Sequence, residues 1–245
     1  MMKTALVTGI TKNIGKEILK KLISDGYFVH GTYRSDDKEA EILKSELKNI
    51  ELYKVDFSER KQTLDLIEKL KDIKFDVIVN NAGIIEFEQF DKLDIKSWDK
   101  VMEVNLNAPF IISHGFRNNI NSGGTIVNIA STDGLTGAFV SMSYSASKAA
   151  LINLTKSMGN VFGKNGIRVV AIAPGWVGSG MDSPAIAEAM ANNPLGRNAK
   201  PEEIANAVSF AVSSEASFIN GQTIIVDGGY TNVDSILKKE AEATK

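Results

Sequence analysis

The chain has 245 residues, 43% hydrophobic and 24% charged, with a net charge of −2. That balance suits a globular protein with a substantial core and gives no basic footprint for nucleic acid. There is no cysteine, and the two histidines, His30 and His114, lie 84 positions apart, so disulfides, thiolate chemistry and a metal centre are not expected.

The N-terminal MMKTALVTGI has one lysine and a short apolar run. A secretory core needs about 7–15 apolar residues and a membrane span about 20. The expectation is a cytoplasmic protein with no membrane partner. Along the chain, apolar runs of strand length fall at 5–7, 27–32, 52–55, 75–79, 125–129, 169–173 and 223–226. Segments with helical spacing lie near 14–25, 37–48, 59–72, 97–118, 144–162 and 201–213. This alternation predicts βαβ units, hence an α/β fold with a doubly wound parallel sheet and helices on both faces. His30 falls in a predicted strand and His114 on a predicted helix, where structural roles are expected. Ser97 is the expected cap of a helix beginning at Trp98, and Pro201-Glu202-Glu203 opens another. No repeat or linker interrupts the pattern. A single domain over 1–230 is expected, followed by a polar tail, 231–245, that is either frayed or a short helix.

The residues that follow successive strands are Gly9, Arg34, Asp56, Asn80-Asn81, Ser131 and Pro174-Gly175. Loops favour such residues one by one, but six polar or small strand ends together mark a ligand crevice at the carboxyl edge of the sheet. The first loop, Thr8 to Gly15, reads TGITKNIG. Glycines there let backbone approach a pyrophosphate, and the following helix offers free N–H groups. The loop is neither Gly-x-Gly-x-x-Gly nor a P-loop.

SYSASK at 143–148 sets Tyr144 four residues before Lys148. Chance supplies such a pair roughly 0.5 times in a chain of this composition, so context decides its meaning. TGITKNIG, NNAG at 80–83, Ser131, YSASK, PGWVGSGM at 174–181 and IVDGGY at 225–230 together resemble the short-chain dehydrogenase/reductase family, from about residue 4 to 230. The chain looks most like its bacterial 3-oxoacyl-[acyl-carrier-protein] reductases, and also like members acting on sugars, polyols or small ketones.

The resemblance implies a Rossmann-like fold and hydride transfer between a nicotinamide cofactor and a ketone or secondary alcohol. It makes Tyr144 the acid/base, Lys148 its partner, Ser131 the holder of the carbonyl oxygen, and Asn105 the anchor of a water leading to the lysine. Tyrosine ordinarily titrates near 10, and bringing it to 7 would require ~4 kcal/mol. The charge of Lys148, on the same helix face, is expected to push in that direction. The resemblance assigns Gly9, Thr11, Lys12, Asn13, Ile14 and Gly15 to the cofactor phosphates. It places Asp56, Phe57, Asn81, Ala82 and Gly83 along the adenosine. Pro174, Gly175, Val177 and Ser179 fall at the nicotinamide, with Tyr144 and Lys148. The family's NAD acid would fall at Tyr33, and Arg34 with Ser35 falls where NADP(H) is held. Alternatively, Arg34 pairs with Asp36 or Asp37.

Two family glycines are replaced. Asn13 is among the residues most tolerant of positive φ, and its amide could cap the helix; Ala199 could alter local backbone freedom. A substrate flap is expected at about 178–198, with Met181, Ile186, Met190 and Leu195 as apolar contacts and Arg197 as its one base. Lys164 alone is a thin patch for an acidic carrier protein. Family members usually assemble as tetramers or dimers through the helices near 97–118 and 144–162 and the last strand. With no Gly-x-Ser-x-Gly elbow, a hydrolase triad is disfavoured. The rival of another class is a non-catalytic nucleotide-binding sensor or scaffold on the same fold.

Overall fold

A computed structural model describes residues 2–178, 190 and 192–244. Seven strands form one sheet: β1 (Lys3–Val7), β2 (Tyr27–Tyr33), β3 (Ile50–Lys54), β4 (Phe75–Asn80), β5 (Ile120–Ile129), β6 (Arg168–Pro174) and β7 (Thr223–Val226). All pairings are parallel, in the order β3-β2-β1-β4-β5-β6-β7. The sequence has run in one direction from β1 to β3 and then returns across β1 to β4. That reversal opens a crevice at the carboxyl ends of β1 and β4, where this architecture binds ligands.

Side chains alternate across the sheet with period two. Ala5, Val7, Val77 and Val79 face one core, shared with α1 (Asn13–Ser24), α2 (Asp37–Glu46) and α8 (Pro201–Val212) through Ile18, Leu22, Leu43, Ile204 and Val208. Leu6 and Ile78 face the other core. It is filled by Leu66 of α3 (Arg60–Lys69), Ile112 of α5 (Ala108–Gly115), and Met158 and Phe162 of α7 (Met142–Phe162). Burial on both faces explains why the strands read as nearly continuous apolar runs. His30 is a buried polar group of β2. Its Nδ1 lies 2.9 Å from the Tyr53 hydroxyl, and burial holds its pKa below the usual value.

The expected helix at 97–118 is three pieces. An α-helix, α4 (Ile95–Met102), passes into a π turn over Glu103–Asn107 and then into α5. Pro109 has no N–H to donate to the carbonyl of Asn105, so the regular ladder cannot run through this point. The cap of α4 is Asp94, whose carboxylate accepts from the Lys96 N–H at 3.0 Å; Ser97 lies inside the helix. A one-turn helix, α6 (Asp133–Thr136), follows β5. The tail forms a short helix, α9 (Ser235–Ala243), capped by Asp234. No helix among the described residues is long and apolar enough to cross a membrane.

Candidate active site

The loop after β1 is tied to the loops after β2 and β4. The Thr8 hydroxyl oxygen accepts from the N–H groups of Asn81 and Ala82, both at 2.9 Å. The Asn81 amide donates to the carbonyls of Thr8 at 2.9 Å and Gly9 at 3.0 Å. The N–H groups of Gly9 and Ile10 reach the Thr32 carbonyl at 3.0 and 2.9 Å. Gly9 needs its φ of +75°, and a Cβ on Gly15 would stand 2.0 Å from the Gly9 carbonyl oxygen. Glycine at 15 therefore lets α1 start directly against the loop. Asn13 takes a φ of +43°, as its replacement of glycine requires. Its amide does not cap the helix: α1 begins at Asn13 without a side-chain cap. The first N–H groups of α1 are left without side-chain partners, which favours an anion there.

These loops enclose a cleft of about 350 Å³. Its walls include Gly9, Thr11, Lys12, Asn13, Ile14 and Gly15 from the first loop, and Arg34 and Ser35 beyond β2. Asp56 and Phe57 follow β3; Asn81, Ala82 and Gly83 follow β4. Thr32, Tyr33, Asp36, Val55, Ile84 and Val104 complete it and were not anticipated. Most of these flank an expected residue by one position; Val104 arrives from the π turn, which local sequence does not announce.

The alternative partners of Arg34 are engaged elsewhere. Asp37 holds Lys54 at 2.6 Å. Asp36 caps α2 through the Glu39 N–H at 3.2 Å and faces Lys12 at 3.4 Å. Arg34 has no ion pair among the described residues, while Lys12 is shared with Asp36. Burial pushes the Asp56 carboxyl up, but hydrogen bonds from Ser58 and the charge of Arg34 outweigh it and hold the group below its ordinary value.

The second constellation lies where β5 meets α7. Lys148 is 4% exposed and donates to the Ile129 carbonyl at 2.7 Å. Its Nζ stands 5.5 Å from the centre of the Tyr144 ring, one helical turn away. Burial lowers the Lys148 pKa to about 8. Burial raises that of Tyr144; the Ser131 hydroxyl pulls it down and the Asp133 charge pushes it further up. The lowering expected from Lys148 is thus not found. The lysine is committed to a carbonyl, and desolvation of the phenol dominates.

Ser131 accepts from the Asp133 N–H at 3.2 Å, and Ser145 of α7 donates to the Asp133 carbonyl at 2.8 Å. Gly134 seats this turn against α7, since a Cβ there would fall 2.7 Å from the Lys148 carbonyl carbon. Ser131 and Tyr144 are held together by that packing. Asn105 is fully buried. Its Oδ1 accepts from the Ile84 N–H, and its Nδ2 donates to the Ile84 carbonyl, both at 2.9 Å, and to Ser147 at 3.1 Å. Its side chain therefore braces the loop after β4 against α7. A Cβ on Gly83 would lie 3.4 Å from Asn105 Oδ1 and 3.5 Å from Lys148 Nζ, so this residue of the cleft wall stands next to the lysine.

The family profile described as Enoyl-(Acyl carrier protein) reductase matches residues 9–231. Acetoacetyl-CoA reductase of Rhizobium meliloti is 36% identical over 239 residues, covering 94% of this chain and 98% of its own. The 3-oxoacyl-[acyl-carrier-protein] reductase of Aquifex aeolicus is 35% identical over 241 residues, covering 93% and 96%. Among solved structures, BdcA in complex with NADPH has a TM-score of 0.87 at 28% identity, covering 92% of this chain and 93% of that one. A 4-hydroxyisoleucine dehydrogenase complexed with NADH has a TM-score of 0.88 at 29% identity, covering 95% and 100%. The chain belongs to the short-chain dehydrogenase/reductase family.

As in any Rossmann-like member, the rest of the site is set by the strand ends. Pro174 closes β6, and its carbonyl accepts from the Thr132 N–H at 3.0 Å, beside Ser131. Gly175 packs on Asp227, where a Cβ would meet the aspartate Cβ at 2.8 Å. Val177 bridges to Ala199, so alanine occupies an ordinary extended position there and costs no backbone freedom. These three residues do not line the cleft itself. Ser179, Met181 and Ile186 lie outside the described residues, while Met190 and Leu195 are exposed. Arg197 is bidentate to Glu203 at 2.7 Å and is not free for a ligand. Among the described residues no cluster of His, Asp or Glu could hold a metal ion.

Proposed function

We propose that this short-chain dehydrogenase/reductase interconverts a ketone and a secondary alcohol with NADP(H). The observation that carries the reading is the meeting of Ser131, Tyr144 and Lys148 beside Gly83, a residue of a cleft that also holds Arg34, which has no ion-pair partner among the described residues. The cleft suits a dinucleotide: a glycine-bearing loop and an uncapped helix start suit a pyrophosphate, and Gly83 in the wall stands beside Lys148, which a ribose would meet. A side chain at Gly15 would collide with the Gly9 carbonyl and Asn81, so this loop needs glycine there.

The cofactor supplies hydride chemistry; the protein positions the groups and manages one proton. Burial keeps Tyr144 protonated at neutral pH, the form that reduction consumes. Tyr144 gives its phenolic proton to the substrate oxygen, and the Ser131 hydroxyl donates a hydrogen bond to that same oxygen. Lys148, with a pKa near 8, is poised to stay charged while the tyrosinate forms beside it. Asn105 acts as a positioning residue, fixing Ile84 and Ser147 around the lysine.

Arg34, helped by Ser35, is assigned to the adenosine phosphate that distinguishes NADP from NAD. Solved neighbours were complexed with NADPH in one case and NADH in another, so the cofactor preference of this chain is tested at Arg34. A hydrogen bond to a charged group is worth about 1.5–3 kcal/mol. Arg34→Ala should therefore lower kcat/KM for NADPH by roughly 10–150-fold and leave NADH nearly untouched. A wild type that prefers NADH, or a variant that loses both equally, refutes the assignment.

The names of the curated relatives make 3-oxoacyl thioesters the first substrate class to test, with sugars, polyols and small ketones second. The assembled set of Ser131, Tyr144 and Lys148 argues against a non-catalytic sensor, a reading that cofactor binding without turnover of any carbonyl would restore. Exposed Phe110 and Val161 on α5 and α7, and Ile225 on β7, support assembly as a dimer or tetramer through those elements.

A further inference from the structure

The start of α2 places a carboxylate inside the cleft that the proposed cofactor contacts do not use. Asp36 lines the cleft together with Lys12, Arg34 and Ser35. Its Oδ1 caps α2 by accepting from the Glu39 N–H at 3.2 Å, and its Oδ2 stands 3.4 Å from Lys12 Nζ. One anionic group thus occupies two features that attract anions, a lysine and a helix N-terminus.

The neighbouring acids are tied to other cations. Asp37 holds Lys54 at 2.6 Å, and Glu39 holds Lys16 at 2.6 Å. Neither Asp37 nor Glu39 lines the cleft. Asp36 is therefore the acid that shares the cleft wall with Arg34 and Lys12. The side chain of Lys12 is 72% exposed and that of Asp36 31%, so their pair is of the solvated kind that adds little stability and can be exchanged for another partner.

We propose that Asp36 is a specificity-determining residue that acts against the adenosine phosphate: it holds Lys12 in the free protein and gives it up when a phosphate enters beside Arg34. This rests on the NADP(H) reading. By analogy with phosphorylated side chains, the phosphate carries a charge of roughly −1.5 to −2, more than the carboxylate, and outcompetes Asp36 for the lysine. Capping keeps the displaced carboxylate at the start of α2, where its like charge opposes the bound phosphate. A cofactor without that phosphate leaves the Lys12–Asp36 pair as it is. Asp36 therefore lowers affinity for the phosphorylated cofactor alone and narrows the preference that Arg34 sets.

Adenosine 2′,5′-bisphosphate and adenosine 5′-monophosphate differ only in the phosphate at issue. Calorimetric titration of each into the full chain reads binding without turnover. Asp36→Asn keeps an oxygen for the Glu39 N–H, since asparagine caps as well as aspartate, and removes the charge. It should tighten the bisphosphate roughly 2–5-fold and leave the monophosphate unchanged. In a Lys12→Met background most of that gain should disappear. Asp37→Asn makes the same charge change one residue on, outside the cleft wall, and should gain less. A bisphosphate affinity that Asp36→Asn leaves unmoved, in a wild type that prefers the bisphosphate, overturns this inference and leaves the NADP(H) reading standing. A wild type with no preference that acquires one in Asp36→Asn upholds the inference, and the NADP(H) reading falls. Equal gains from Asp36→Asn and Asp37→Asn overturn it, as does a monophosphate that weakens in Asp36→Asn, which would mean that the carboxylate holds the ribose.

Discussion

Replacing Thr8 by valine tests whether the cleft is built as described. The change keeps shape and volume and deletes one oxygen. That oxygen accepts from the Asn81 and Ala82 N–H groups, and Thr8 is 2% exposed, so water cannot take its place. One backbone donor, the Ala82 N–H, would be left without a partner, since the Asn81 N–H also reaches the Val79 carbonyl at 3.1 Å. An unsatisfied buried group costs about 1–3 kcal/mol, and the loss should fall in that range. Urea unfolding should show a lower midpoint with unchanged slope, since the surface exposed on unfolding is the same. Thr8→Ser keeps the oxygen and should lose little. Because Asn81, Ala82 and Gly83 line the cleft, Thr8→Val should also weaken cofactor binding, which Thr8→Ser should preserve. If the valine variant loses less than about 1 kcal/mol, or loses stability with unaltered cofactor affinity, the staple between β1 and β4 is not what holds the site.

Two further outcomes concern the reacting end. Tyr144→Phe should lower turnover by roughly 10²–10⁴-fold while cofactor affinity persists, and a wild-type kcat would refute the acid/base assignment. Lys148 is held down to about 8 from 10.5 by burial, so between those pH values the unfolded chain binds more protons than the folded one. Stability should therefore rise with pH across that window, and the gain should total about 3 kcal/mol relative to Lys148→Met, which lacks it. A flat difference between the two proteins from pH 8 to 10.5 would mean that the lysine is solvated.

Much of the architecture is legible from local signals because two-sided burial leaves nearly continuous apolar runs in the central strands. The polar residue after each run marks the carboxyl edge. Every cofactor residue expected from the first four strand ends lines the cleft. What the sequence hides is decided through space. Ser97 reads as a cap on paper, yet the helix begins two residues earlier, at Ile95, with Asp94 as its cap. The π turn depends on how Pro109 and Asn105 share one ladder. Thr8 reads as an ordinary loop threonine until β4 is brought beside it, 73 positions away. The direction of the Tyr144 shift is hidden for the same reason. Helical spacing shows Lys148 on its face, but neither the Ile129 carbonyl that claims the lysine nor Asp133 on the other side.

The burial of Lys148 bears on whether its pairing with Tyr144 is chemistry or packing. A lysine with a pKa near 8 at 4% exposure lowers stability at neutral pH by about 3 kcal/mol relative to the same group in water. One hydrogen bond to the Ile129 carbonyl returns about 1.5–3 kcal/mol of that. Methionine has nearly the same length and no charge to desolvate, so packing alone gives no reason for lysine at this position. Gly83, which lines the cleft, stands next to the ammonium: a Cβ on it would lie 3.5 Å from Nζ. A buried cation kept at a net cost, beside a phenol and next to a residue of the cleft wall, is arranged for use by a ligand that enters there. In the proposed reaction that ligand brings its own positive charge when oxidised, and the tyrosinate would then have two cations near it. The Tyr144 pKa, raised in the free protein, should fall only when oxidised cofactor is bound. Difference absorbance of tyrosinate between wild type and Tyr144→Phe, titrated with and without NADP⁺, measures that fall directly. A Tyr144 titration that NADP⁺ leaves unmoved would remove the electrostatic link between the two halves of the site.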